Sequence, residues 1–134
     1  EVAEELGYLV SKAPILVPET RGRVSAGVGT EVEVEYWPYF PREDERRHNF
    51  VAVPVTGRCM EPRIHEGERV IVDLDASPRP GDIVLALIDD ETLVKKLQLR
   101  DSELWLVAEQ EWPPRKVDET ARILGVVRMV MHRP

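Results

Sequence analysis

From Phe50 onward, apolar residues come in short runs divided by turn residues. Phe50–Val55 is the first run. The Glu66-Gly67 turn leads into Val70–Asp73, and Pro78, Pro80 and Gly81-Asp82 precede Ile83–Ile88. Asp89-Asp90-Glu91 makes a hairpin-like turn into Leu93–Leu97, and Leu104–Ala108 and Ile123–Met131 complete the series. Runs of this length at this spacing predict short strands in a mostly β fold, with curled antiparallel sheets or a partly open barrel.

Upstream the pattern changes. Residues 24–36 open with small residues, then alternate strictly, with Val32, Val34 and Tyr36 against Glu31, Glu33 and Glu35. That alternation predicts a strand with one wet face. Residues 1–23 read as a hinge: Leu6, Leu9 and Val10 suit the end of a helix, and Pro14, Pro18 and Gly22 then break any period. The charged stretch 41–48 reads as an exposed loop. Residues 60–65 have room for one helical turn, because Pro62 falls where a first turn tolerates proline. There is no internal repeat and no low-complexity segment.

Composition narrows the function classes. The 134 residues suit one domain with a modest core, and 32% charged residues suit a well-solvated surface. A net charge of −7 argues against this segment gripping a nucleic-acid backbone, which requires clustered Lys and Arg. No apolar run approaches the ~20 residues that span a bilayer, so no membrane partner is expected. The acidic start Glu1-Val2-Ala3-Glu4-Glu5 lacks the basic opening of a signal peptide. The chain opens on Glu rather than Met, as a piece of a longer protein would. A single cysteine forms no internal disulfide, which fits a reducing cytoplasm.

Three segments carry candidate chemistry. Gly57-Arg58-Cys59-Met60-Glu61-Pro62 follows a strand, and a glycine ahead of a reactive side chain permits a tight turn that presents it with backbone N–H groups. Against that stands a buried, inert Cys at a strand corner. In Leu93-Val94-Lys95-Lys96-Leu97, Lys95 shares a strand face with Leu93 and Leu97, and Lys96 shares the other with Val94. If both faces are covered, one lysine is desolvated, loses basicity and becomes a usable general base. On an edge strand, both would reach water instead. In Arg23-Val24-Ser25-Ala26-Gly27-Val28-Gly29, small residues allow the close approach that a scissile peptide requires, or serve only as a hinge.

The remaining candidates say less. His48, His65 and His132 are far apart, with one Cys to help, so no metal and no cofactor is expected. Trp37 and Tyr39 are candidates to anchor the 24–36 strand to the domain or, equally, to serve generic core packing, Trp105 to lie at a surface or an interface, and Met60 and Met129 to lie in the core.

Order and spacing make these segments more specific together than singly. Cys59 follows Ala26 by 33 positions, and Lys95 follows Cys59 by 36. With GRCMEP, HEGERVIVD, GDIVLA, LVKKL, LWLVAEQ and ILGVVRMVMHR in this order, the chain resembles the S24-type peptidase domain of LexA, UmuD and phage repressors, which is similar to the core of signal peptidases. The resemblance covers most of residues 24–133.

It implies a LexA C-terminal type of fold over residues 24–134, with 1–23 as linker from an N-terminal DNA-binding domain outside this sequence. It also implies a repressor of the SOS type that dimerises and cuts itself. Lys95 is then the general base and Ala26-Gly27 the scissile bond, and the backbone N–H groups of Arg58 and Cys59 form the oxyanion hole. Cys59 stands where the family has its nucleophilic serine, and Arg58 where an acidic residue is common. The implied partners are a second copy of the chain, a RecA filament on single-stranded DNA as co-protease, and operator DNA bound only through the N-terminal domain. A catalytically silent dimerisation module of a repressor is the competing reading. Val126, Val127, Val130 and Met131 are candidates for the dimer surface.

Overall fold

The computed structural model describes residues 13–20 and 35–132. Nine strands account for about half of them. β1 (Ile15–Pro18) and β2 (Tyr36–Tyr39) form an antiparallel pair, with Ile15 opposite Tyr39 and Pro18 opposite Tyr36. The others are β3 (Phe50–Pro54), β4 (Arg69–Asp73), β5 (Ile83–Ile88), β6 (Glu91–Arg100), β7 (Glu103–Val107), β8 (Arg115–Lys116) and β9 (Ala121–Met131). These seven make one sheet in the order β3-β4-β9-β5-β6-β7-β8, with every pairing antiparallel. The sheet curls into a half-barrel, so the fold class follows the expectation.

The curl has a local cause in β9. Its register with β4 shifts between Ile71 and Val72, and its register with β5 shifts between Leu85 and Ala86. Each shift leaves one extra residue in β9, Arg128 and Leu124 respectively. A bulge bends its strand and raises the twist. Gly125, beside the second bulge, lets β9 close on β4: a Cβ there would meet Val72 Cγ1 at 2.6 Å and the Asp73 carbonyl oxygen at 2.7 Å.

Among the described residues, three apolar clusters fill the fold. The first joins Val51, Val70, Val72, Leu85 and Val94 to Met60 and Ile64. The second gathers Val84, Ala86, Leu97, Leu106 and Val126. The third packs Val17 and Tyr39 on Phe50, Ala52 and Ile71, and so binds the β1–β2 pair to the sheet.

Several local expectations change. Ile15–Pro18 is a strand and not an irregular hinge, because β2 supplies a partner that is distant in sequence. Of the strand expected over 24–36, only residues 35 and 36 are described. Tyr36 does not face the body: it is 58% exposed, while Trp37 and Tyr39 turn inward. Residues 41–48 hold a short 3-10 helix at Glu43–Glu45 and bury Glu45, because Arg42 and Arg128 pair with its carboxylate. Residues 60–65 form turns with one helix-type bond, Ile64 N–H to the Met60 carbonyl, and no helix. Met60 is core, but Met129 is 43% exposed, because the Arg128 bulge resets the alternation. Val126 is buried in the second cluster, which removes it from any dimer surface.

A second buried acid lies near Glu45. Asp73 is fully buried and accepts from the His48 ring Nδ1 at 2.7 Å and the Asp75 backbone N–H at 2.9 Å. The hydrogen bond to Asp73 raises the His48 pKa above its ordinary 6.5, against a smaller opposing effect of burial. A raised folded-state pKa stabilises fully below the unfolded value and is lost as pH rises through the folded one. His48→Gln is therefore expected to lower stability in urea titrations at about pH 5.5, with the loss shrinking steadily towards about pH 9. An equal loss at both ends would contradict this.

Candidate active site

β3 ends at Pro54, and the chain must turn sharply to reach β4. Gly57 makes the turn at φ +82°, a left-handed conformation that favours glycine. Its N–H donates to Glu66 Oε2 at 2.7 Å, and Val55 N–H donates to the Glu68 carbonyl at 2.8 Å. Met60 and Ile64 then plunge into the first cluster and pin the far side of the turn. Cys59 is held between exposed Arg58 and buried Met60 as a half-buried free thiol. No described residue accepts a hydrogen bond from the N–H of Arg58 or Cys59.

β6 delivers the second group. Lys95 sits opposite Val84 of β5 and is only 3% exposed. Val94 on one face belongs to the first cluster, and Leu93 and Leu97 on the other to the second, so this part of β6 is covered on both sides. Lys96, opposite Ile83 and Val107, is only half-buried. The period-two expectation for the two lysines agrees with these burials.

Cys59 and Lys95 line one cleft that opens to solvent. Its walls are the end of β3 at Val53 and Pro54, Leu85 of β5, and residues 92–95 of β6. Burial lowers the Lys95 pKa, and the negative charge available at Cys59 and Glu91 partly opposes that shift. A desolvated amine beside a thiol is the arrangement in which the amine takes the thiol proton and makes a nucleophile. Among the described residues, no group of His, Cys, Asp and Glu side chains is placed to hold a metal ion.

The bond expected to be cut, Ala26-Gly27, lies outside the described residues. The nearest described residues on either side of it are Thr20 and Glu35. Glu19 N–H donates to the Glu35 carbonyl at 2.8 Å, and Thr20 N–H donates to the Ala52 carbonyl at 2.9 Å. The buried Glu19 carboxylate accepts from Trp37 Nε1 at 2.9 Å and from Arg69 Nε at 3.0 Å. Trp37 and Tyr39 thus anchor this region, the first through Glu19 and the second against Phe50 at a ring distance of 5.1 Å. The residues that flank 21–34, Thr20 and Glu35, are thus tied beside Ala52, next to the cleft wall at Val53.

The family model for peptidase S24-like proteins matches residues 18–128, a span that includes the turn, both lysines and most of β9. The chain belongs to the peptidase S24-like family. Among the proteins it resembles are three LexA repressors. The one from Clavibacter sepedonicus is 32% identical over 114 residues, covering 82% of this chain and 50% of that protein. The one from Frankia casuarinae is 32% identical over 126 residues, 92% of this chain and 49% of that protein. The one from Streptomyces avermitilis is 34% identical over 116 residues, 84% of this chain and 49% of that protein. The chain spans about half the length of these relatives. No helix among its described residues is long and apolar enough to cross a membrane.

Sequence reading of this S24-like chain missed the 109–112 segment. Glu109 and Gln110 N–H groups both donate to the Cys59 carbonyl, at 3.0 and 2.8 Å. The Lys95 ammonium lies 4.6 Å from the ring centroid of Trp112. The available signal was weak: a tryptophan set before Pro113-Pro114, with no periodicity linking it to either partner.

Proposed function

We propose that this chain is the C-terminal half of a LexA-like repressor, in which Cys59 and Lys95 cut the Ala26–Gly27 bond of their own polypeptide. The observation that carries the reading is a nearly fully buried lysine sharing a cleft with a half-buried thiol, beside the anchored residues that flank 21–34.

In this mechanism neutral Lys95 takes the thiol proton and the sulfur attacks the Ala26 carbonyl carbon. The Arg58 and Cys59 N–H groups stabilise the oxyanion. The bond to the Gly27 nitrogen breaks, and Lys95 returns its proton to the leaving amine. A water then gives its proton to Lys95 and attacks the thioester. The Ala26 carboxylic acid leaves, and Cys59 recovers its thiol.

Family membership and the LexA relatives support the repressor context. A second copy of the chain is the proposed partner, with Met129 and Val130 as exposed apolar residues at the end of β9. A RecA filament on single-stranded DNA is the proposed trigger, and operator DNA binds outside this segment, inside a cytoplasm. The competing reading is a silent dimerisation module, favoured by Cys at a position where the resemblance places Ser.

Intact-mass time courses at several pH values and two protein concentrations decide between them. Self-cleavage gives two fragments split after Ala26, with a rate constant that ignores concentration, because the reaction is intramolecular. An uncut chain across the pH range gives the silent module.

A further inference from the structure

We propose that Glu109–Trp112 is a positioning device for the Cys59–Lys95 pair, with Trp112 as the positioning residue for the Lys95 side chain. The inference deepens the proposed self-cleavage and rests on that reading for its kinetic test, but not for its spectroscopic one.

One short segment holds both groups. It continues directly from β7, whose Val107 pairs with Lys96 of β6. Its first two residues donate their backbone N–H groups to the Cys59 carbonyl. The Gln110 side chain donates to the Glu61 carbonyl, and Glu109 faces Arg63 at 3.5 Å. The turn that carries the thiol is therefore gripped from Cys59 to Arg63. Two residues on, the indole of Trp112 packs on the second cluster and presents its face to the Lys95 ammonium at 4.6 Å. That is within the ~6 Å reach of a cation–π contact. Motion of the turn relative to β6 must strain this segment, so the separation of sulfur and nitrogen is coupled to it.

The ring acts on the lysine in two opposed ways. Its bulk keeps water off the amine, which disfavours the ammonium. Its π face attracts the ammonium and restores part of what desolvation removes. The titratable groups that act on Lys95 from the elements around it are Cys59, from the turn after β3, and Glu91, from the start of β6. On β5 its partner is the apolar Val84.

Separate variants read the two functions separately. Trp112→Leu keeps an apolar cover and removes the π face, so the midpoint of the cleavage pH profile is expected to fall by roughly 0.5–1.5 pH units. Its plateau rate is expected to fall roughly tenfold as the amine loses its position. Trp112→Phe, which keeps a π face, is expected to restore most of both. Gln110→Ala loosens the thiol turn alone, and is expected to lower the plateau while leaving the midpoint in place. A Trp112→Leu variant that melts earlier but keeps the parent midpoint would show a merely structural ring and overturn the proposal.

A second measurement does not depend on cleavage. In a Cys59→Ala chain that also carries Trp37→Phe and Trp105→Phe, Trp112 is the sole tryptophan. Its fluorescence is expected to titrate in a single alkaline step that disappears on adding Lys95→Met. No step, or a step that survives Lys95→Met, overturns the proposal. A step lost with Lys95→Met, in a parent chain that never cleaves, supports Trp112 as the lysine's partner and rejects the peptidase reading.

Discussion

Lys95→Ala is expected to slow cleavage at Ala26–Gly27 by roughly 10²–10⁴-fold, the usual contribution of a positioned general base. Lys96→Ala is expected to stay within about twofold of the parent, because its side chain stands on the other face of β6. The contrast is strong because the residues are adjacent and chemically identical. What separates them is cover. Lys95 is 3% exposed and its amine lies under the Trp112 ring, whereas Lys96 is only half-buried. Burial holds the Lys95 pKa below its ordinary value, so the neutral amine is available at lower pH than an exposed lysine would allow. The parent rate should climb with pH until that lowered pKa is passed, then level off. Intact-mass time courses on both variants check the assignment, with melting curves to confirm that each is folded. Loss of cleavage in Lys96→Ala with cleavage retained in Lys95→Ala would place the base one residue later.

Gly125→Ala is expected to be among the most damaging single changes in the sheet. The added methyl carbon would lie 2.6 Å from Val72 Cγ1 and 2.7 Å from the Asp73 carbonyl oxygen. A side-chain methyl can rotate away, but the carbonyl belongs to β4 and is fixed by its ladder. Relief requires β9 to move off β4 next to its own bulge. Overpacking of this kind costs about 1–3 kcal/mol or more, and the backbone contact places this case at the upper end. For a domain of this size the melting temperature should fall by on the order of 10 °C. Gly67→Ala is the control: φ is +91° there, but open space surrounds the position. Backbone strain alone should cost about 1 kcal/mol. Thermal melts of the two variants side by side test the difference. Equal losses would mean that β9 yields at Gly125 and that the β4 contact adds little.

Much of this molecule was legible in its order of residues. Phe50–Pro54, Arg69–Asp73, Ile83–Ile88 and Glu103–Val107 fall within a residue or so of the predicted strands, because apolar runs and turn residues are local signals. The Gly57 turn and the opposite facing of Lys95 and Lys96 were equally readable, the first from one residue's conformational freedom and the second from the period of two, whereas only the family resemblance singled out Lys95. The motif series also pointed to the S24-like family. What tertiary structure alone decided depends on partners far apart in the chain. β1 exists because β2 lies opposite it, and Tyr36 faces out because Trp37 is drawn in towards Glu19 and Arg69. Glu45 is buried because Arg128, in a bulge, arrives beside it. Two bulges in β9 break the simple alternation, which sends Met129 to the surface and Val126 to the core. The chemistry divides in the same way. That Lys95 and Lys96 face opposite ways is a property of their own strand. That Lys95 is dry and lies under an indole depends on Trp112, 17 residues away, whose loop is fastened to the cysteine turn by hydrogen bonds that no local pattern encodes.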